Sequence, residues 1–339
     1  MRWLFYISIL LAGISCKKEE VGPQFPVDPL FSGDKVLILN EGNFGWGNAS
    51  ITAYGPNNLQ TVQGAYFGAN DLPLGDVCQS GIRWANRYLV VVNNSNKIVL
   101  LDTNTLEQVV EVPALGSPRY VLPTHGGKAY VSDLYANELG LLDISKGEFV
   151  FNITVPGWVE EMEYVNGFLY GTCPQNDQII QLDTAANEVI DSISIPAGPS
   201  SLVKDRNGML WALSNGFSGA NARITMVDPA ANTVIKTFEF GVGDQPVQLK
   251  INGEGDVLYY MLGSGVYKMP IESTSLSTTA LISGYGQTLY GLSINPATEE
   301  IYVMDAKDFI QPGEAYRFTR NGELIDSIEC GIIPQAIVF

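Results

Sequence analysis

The chain repeats itself, and the repeat constrains its fold more than any other feature. One unit recurs: a turn often led by proline, an apolar strand, a short polar hairpin, a second strand, a polar loop, a third strand ending in aspartate, a turn, and a fourth strand. It is plain in SPRYVLPTHGGKAYVSDLYANELGLLDISKGEFVFNITV from Ser117 to Val155, again from Trp158, and again from Pro199. The second strands end near Asn40, Asn93, Ser132, Thr172, Ser214, Leu262 and Met304, positions roughly 40 to 50 residues apart. A single four-stranded sheet has two faces and cannot cover both alone. Stacking such sheets around an axis gives every face a neighbour. The spacing therefore predicts an all-β, seven-bladed β-propeller with four-stranded blades.

The two ends of the repeat fit each other. The first unit begins at KVLILN with no inner strand before it, and the last is followed by a spare strand, PQAIVF. Pairing Gln335–Phe339 with Lys35–Asn40 completes the first blade and leaves the ring without an open edge. The third strands end in Asp102, Asp143, Asp183 and Asp228, each before a short polar turn. Aspartate there is expected to accept backbone N–H bonds within the turn, a structural duty rather than a catalytic one.

The first residues read as an export signal followed by a tether. MR supplies one positive charge and WLFYISILLAGI an apolar run of 12 residues, short for a membrane span but typical of a signal peptide. The segment GISC ending at Cys16 resembles a bacterial lipobox, although Gly13 stands where that motif usually has leucine. The expected organisation is a signal peptide over 1–15, a lipidated Cys16 with a flexible tether over 16–34, and the propeller over 35–339. Acyl chains on Cys16 would hold the protein to a membrane, each buried methylene contributing about 0.8 kcal/mol. The KKEE that follows Cys16 resembles the surface-export signal of lipoproteins from Gram-negative gut anaerobes, which implies an outer-membrane lipoprotein facing outward; a tether facing the periplasm is the alternative.

Composition narrows the function. The formal net charge is −17, from 36 acidic and 19 basic residues, and such a surface repels nucleic-acid backbones. Beyond Cys16 the cysteines are Cys78, Cys173 and Cys330, an odd number without C-x-x-C spacing, so buried inert thiols are expected. The single histidine, His125, sits in the hairpin tip PTHGGKAY, which leaves a His-based metal site or a Ser-His-Asp triad short of parts. No G-x-S-x-G or P-loop is present. One catalytic alternative is a lactonase-like hydrolase holding Ca²⁺ through Glu41, Asn93, Asp133 and Asp305, oxygen ligands suited to a hard cation.

A binding face is the stronger expectation. Loops joining second to third strands share one end of a propeller with the turns into the inner strands. The first set includes NEGNFGWGN, NNSN, DLYAN, CPQND, NGFSGAN, LGSG and DAKDFIQPGE. The second set offers Gln79, Arg119, Glu160, Ser200, Val247, Leu289 and Gln335 at matching positions. One face should thus gather Asn40, Glu41, Asn43, Gln79, Asn93, Arg119, Asp133, Glu160, Asp305 and Gln335 with the aromatics Phe44, Trp46, Tyr135, Phe217 and Phe309. Trp158 and Tyr120 should lie close by. Aromatic rings and amides together suit a broad amphipathic small molecule or a glycan.

The blade pattern over roughly residues 35 to 339 resembles the YncE-like seven-bladed propellers. NEGNFG followed by NASITAY resembles a subgroup of surface lipoproteins that includes the BtuG-type cobalamin-capture proteins. That resemblance implies a non-enzymatic protein that captures a corrinoid and hands it to a TonB-dependent outer-membrane transporter, with cobalamin as ligand rather than cofactor. A surface propeller that binds a glycan or another protein is the competing expectation.

Overall fold

The computed structural model describes residues 35–114, 116–216 and 219–339. The expected export signal, the expected lipidation site Cys16 and the expected tether, together with Phe217, lie outside the described residues. Seven four-stranded antiparallel sheets form a closed ring, a seven-bladed β-propeller. Blades 2 to 7 span 78–113, 118–154, 162–194, 199–239, 247–283 and 289–332, each built from four consecutive strands. Blade 1 takes its three outer strands from 36–62 and its inner strand, Pro334–Val338, from the far end of the chain. There Leu37 pairs with Val338, Ile38 with Ile337 and Leu39 with Ala336. The expected closure is the one observed.

The core is divided among the seams. Along Val36–Asn40, Leu37 and Leu39 face blade 2, where they meet Tyr88 and Val90. Val36 and Ile38 face blade 7, where they meet Tyr302 and Met304. This period-2 alternation explains why the second strands read as continuous apolar runs: both faces are buried, each against a different blade. Buried Tyr130 and Tyr170 extend across a seam to the turn of the following blade. Tyr130 donates its hydroxyl to Asn187 Oδ1 (2.8 Å), and Tyr170 donates to the carbonyl of Pro229 (2.9 Å).

The turn aspartates behave as expected. Oδ1 of Asp102, Asp143, Asp183 and Asp228 each accepts two backbone N–H bonds from the residues that follow, for example Ala185 and Ala186 at Asp183. The irregular stretch after Gly265–Pro270 keeps its blade, but its outer strand is only Ile282–Ser283. Blade 1 is also short on the outside, with Gln60–Val62 followed by the helix Ala65–Asn70. No helix among the described residues is long and apolar enough to cross a membrane.

Candidate functional site

The inner strands carry a feature that alternation alone does not reveal. At the start of each, an extra residue interrupts the pairing with the second strand. The register slips between Cys78 and Ser80, Pro118 and Val121, Pro199 and Ser201, Val247 and Lys250, and Leu289 and Gly291, and again opposite Leu39 and Asn40. In blade 4 the single residue Thr172 bonds to both Glu160 and Glu161. A bulge re-aims the side chain it frees. Here it places Gln79, Arg119, Glu160, Ser200, Gln248, Tyr290 and Gln335 around the mouth of the ring.

The loops after the second strands open on that same face. Backbone bonds tie four of them to the residue just before their own inner strands: Asn93 N to Val77 O, Leu134 N to Ser117 O, Ala306 N to Thr288 O and Glu41 N to Ile333 O. The convergence of loops and inner-strand turns is therefore as expected. At two positions the mouth differs from the sequence expectation: Gln248 and Tyr290 stand there, not the adjacent Val247 and Leu289. The proline in QPVQLK stands one residue earlier than in GPSSLV, and TLYGL has none, which hides the frame in both.

At the centre of this face is a polar cluster. Arg119 donates Nε to Glu160 Oε2 (3.1 Å) and an η-nitrogen to Gln79 Oε1 (2.6 Å). Tyr290 donates its hydroxyl to Glu41. Burial pushes the Glu41 carboxyl up to about 7, against the opposing pull of the Tyr290 hydrogen bond and the Arg119 charge. Burial also raises the Glu160 carboxyl, with Arg119 pulling it back. The mouth thus holds a guanidinium flanked by two carboxyls whose negative charge burial disfavours.

The other expected residues divide by what their side chains do. Asn43 holds the first loop to blade 7 by donating Nδ2 to the carbonyl of Phe309 (2.6 Å), and the Phe309 ring stands edge-on to Tyr290 at 5.6 Å. On the other side, Gly45 N donates to Asp76 Oδ2 (2.8 Å), two residues before the first strand of blade 2. The long tip is therefore strung between two neighbouring blades. Gly42 makes its turn possible, with a φ of +73° and no room for a Cβ, which would fall 2.4 Å from Asn48 Oδ1. Phe44, Trp46 and Tyr135 pack against little: they are 76%, 78% and 81% exposed. Trp158 is half-buried, and its indole N–H is sealed without a partner.

Four expected residues are turned inward. Buried Asn40 donates to Ser50 and Thr52, and Asn93 donates to the carbonyl of Pro118 (2.8 Å). Asp133 Oδ1 accepts the N–H groups of Tyr135 and Ala136. Asp305 accepts those of Gln287, Thr288 and Lys307. Of the residues expected to hold Ca²⁺, Asp133 and Asp305 thus direct their oxygens at backbone N–H groups, whereas the Glu41 carboxylate faces the Tyr290 hydroxyl. Among the described residues, no three His, Cys, Asp or Glu side chains are grouped to hold a metal ion. Cys78, Cys173 and Cys330 are free and buried, and burial raises all three thiols. His125 sits at its hairpin tip, edge-on to Tyr164.

The fold is shared by proteins of varied description. A quinonprotein alcohol dehydrogenase-like protein from Bacteroides thetaiotaomicron superposes with a TM-score of 0.69 at 13% identity, covering 91% of this chain and 78% of its own. The periplasmic gluconolactonase of Pseudomonas aeruginosa gives 0.67 at 12% identity, covering 89% and 98%. A functionally unknown protein from Desulfotomaculum acetoxidans gives 0.65 at 12%, covering 88% and 100%. At such identities the likeness extends to the fold alone. No curated protein sequence matches the chain. Residues 34–333 match one family model over most of the chain, and the protein belongs to that family, the domain of unknown function DUF5074.

Proposed function

We propose that this propeller is a non-catalytic capture protein that holds an amphipathic small molecule against its loop face. The observation that carries this reading is the set of bare aromatic rings at Phe44, Trp46 and Tyr135, on loops that rise beside a polar mouth. Single exposed apolar side chains are ordinary, but large rings raised on loops of one face offer contact area at low entropic cost. Below them Gln79, Gln248 and Gln335 supply amides, and Arg119 a guanidinium. A corrinoid has a broad ring system edged with amides, and it is the ligand to test first. The resemblance of NEGNFG and NASITAY to cobalamin-capture lipoproteins supports the same choice.

In this reading Cys16 carries the lipid anchor at the outer membrane, and a TonB-dependent transporter receives the ligand. A glycan is the second candidate, because sugar rings also stack on aromatic faces. Lactone hydrolysis has less support, since two of the side chains it would use on a cation, Asp133 and Asp305, are bound to backbone amides. Calorimetric titration with cyanocobalamin tests the proposal: saturable heat at micromolar concentration is expected. Absence of both heat and spectral change there would overturn the corrinoid assignment, and a glycan array would then be decisive for the second.

A further inference from the structure

Blade 1 lacks most of its outer strand, and a cavity takes the place of the rest. Gln60–Val62 pairs only with Ala53, Tyr54 and Gly55, so the part of the neighbouring strand nearest the loop face, from Ser50 to Thr52, has no strand outside it. The chain turns at Gly64 into the helix Ala65–Asn70 instead. Between this helix and the first loop is a cavity of about 250 Å³. Its floor is Ile51, Tyr66 and Leu74, and its walls are Phe67, Pro73 and the segment from Gly47 to Ser50.

Native interiors hold few voids larger than a water molecule, so one of this size needs walls that do not collapse. The helix is fastened to blade 2. Tyr66 donates its hydroxyl to Gln108 Oε1, Asn70 donates Nδ2 to the carbonyl of Leu106 (3.0 Å), and the Gln108 N–H donates back to Asn70 Oδ1 (2.6 Å). On the facing side Ala49 N donates to the carbonyl of Gly75 (3.0 Å), which holds the first loop to the segment that carries Pro73 and Leu74.

The lining selects by charge and by size. No Asp, Glu, Lys, Arg or His is among the described residues that wall it. Its polar side chains, Asn48, Ser50 and Tyr66, already have partners in Asn43, Asn40 and Gln108. A cavity water needs about two to four polar partners, and a charged ligand would lose hydration here without gaining a counter-charge. A neutral, apolar occupant meets neither cost. An apolar cavity of roughly 150 Å³ takes up benzene, so this one has room for a second fused ring. The Phe67 ring, exposed at the rim, offers that occupant an aromatic surface.

We propose that this cavity binds a compact, neutral aromatic molecule of two fused rings. It shares no wall residue with the mouth of the ring, so the site is additional to the capture reading and does not rest on it.

The test uses the whole chain with indole as the probe, indole-3-carboxylate as its charged counterpart and 1-hexanol as a neutral molecule without a ring. By calorimetry indole should bind saturably, with a dissociation constant of about 1 mM or below, and it should raise the melting temperature. Each control should bind at least ~10-fold more weakly. Because Phe67 is exposed, Phe67→Ala should melt close to the parent yet weaken indole roughly five- to tenfold. A crystal soaked in 5-bromoindole locates the ligand without any variant: an anomalous bromine peak between Phe67 and Pro73 is expected. Bromine only elsewhere, unchanged indole affinity in Phe67→Ala, a control that binds as tightly as indole, or no saturable binding would overturn the proposal. Cyanocobalamin titration of the same chains reports on the mouth, so failure of one site is distinguishable from failure of the other.

Discussion

The hydroxyl of Tyr290 lies 3.2 Å from one carboxylate oxygen of Glu41 and 3.4 Å from the other, joining blade 7 to blade 1 at the mouth of the ring. Neither residue is adjacent to the other in the chain; ring closure brings them together. Burial raises both groups, Glu41 to about 7 and the Tyr290 phenol well above its usual range, while the hydrogen bond between them pulls Glu41 back down.

A pH dependence follows. The folded Glu41 carboxyl titrates near 7 and the unfolded one near 4.5, so the folded state binds the proton more tightly. The stability this group contributes is present below about 4.5 and is lost as pH rises through about 7. Glu41→Gln removes the titration and should leave stability unchanged at acid pH. Above neutrality, it should add about 1–2 kcal/mol for a half-buried carboxyl. Urea midpoints of both proteins at the two pH limits check this; a variant less stable than the parent at alkaline pH would contradict it.

The seam between blades 7 and 1 has a second tie lower down. Buried Arg317 forms a fork with Glu300, at 2.7 Å and 3.1 Å, and its remaining nitrogen reaches the Tyr54 hydroxyl and the Pro56 carbonyl. Tyr54 in turn donates to Asp326 (2.7 Å). Arg317→Ala strands Glu300 without its counter-charge and should cost about 3–5 kcal/mol. A chemical-denaturation midpoint close to that of the parent would show that the network is better solvated than its geometry implies.

The ring was legible in the sequence because its signals are local and repeated: the aspartate turns, the apolar second strands, and the orphan strand PQAIVF opposite KVLILN. The membership of the mouth was less so. A bulge inserts a residue without changing residue types, and in QPVQLK and TLYGL the proline that marks the frame is displaced or missing. The repeat frame therefore points to Val247 and Leu289, one residue short of Gln248 and Tyr290. Nor does sequence distinguish an aspartate offered to a ligand from one offered to its own backbone. Asp133 and Asp305 look alike in the loops, and the difference from Glu41 lies in which amides happen to face them.

Asp305 makes that difference measurable. It is buried, and its two oxygens accept three backbone N–H bonds, from Gln287, Thr288 and Lys307. Asp305→Ala removes the acceptor from all three and should destabilise the protein by about 2–4 kcal/mol. If that is its whole duty, thermal melts with calcium and with a chelator will coincide. A melting temperature that rises with calcium in the parent, and no longer does so in the variant, would return Asp305 to the cation site.

The two aromatics of the first loop separate a structural from a binding role most directly. Phe44 and Trp46 are mostly bare, whereas the backbone around them is held at both sides, by Asn43 to Phe309 and by Gly45 to Asp76. Removing the rings therefore leaves the tip's own bonds intact, and Phe44→Ala with Trp46→Ala should change stability by no more than about 0.5 kcal/mol. If the rings are contacts for the captured molecule, the same double variant should weaken it by roughly 1–3 kcal/mol, ten- to a hundredfold in affinity. Gly42→Ala provides the contrasting case: its Cβ would sit 2.7 Å from the Ala49 nitrogen, so it should disturb the tip's geometry while both rings remain. Both variants weakening the ligand at near-parental stability would place recognition in the shape of the loop and its rings together. Unchanged binding in the double variant would move recognition inward, to Arg119, Tyr290 and the glutamines of the mouth.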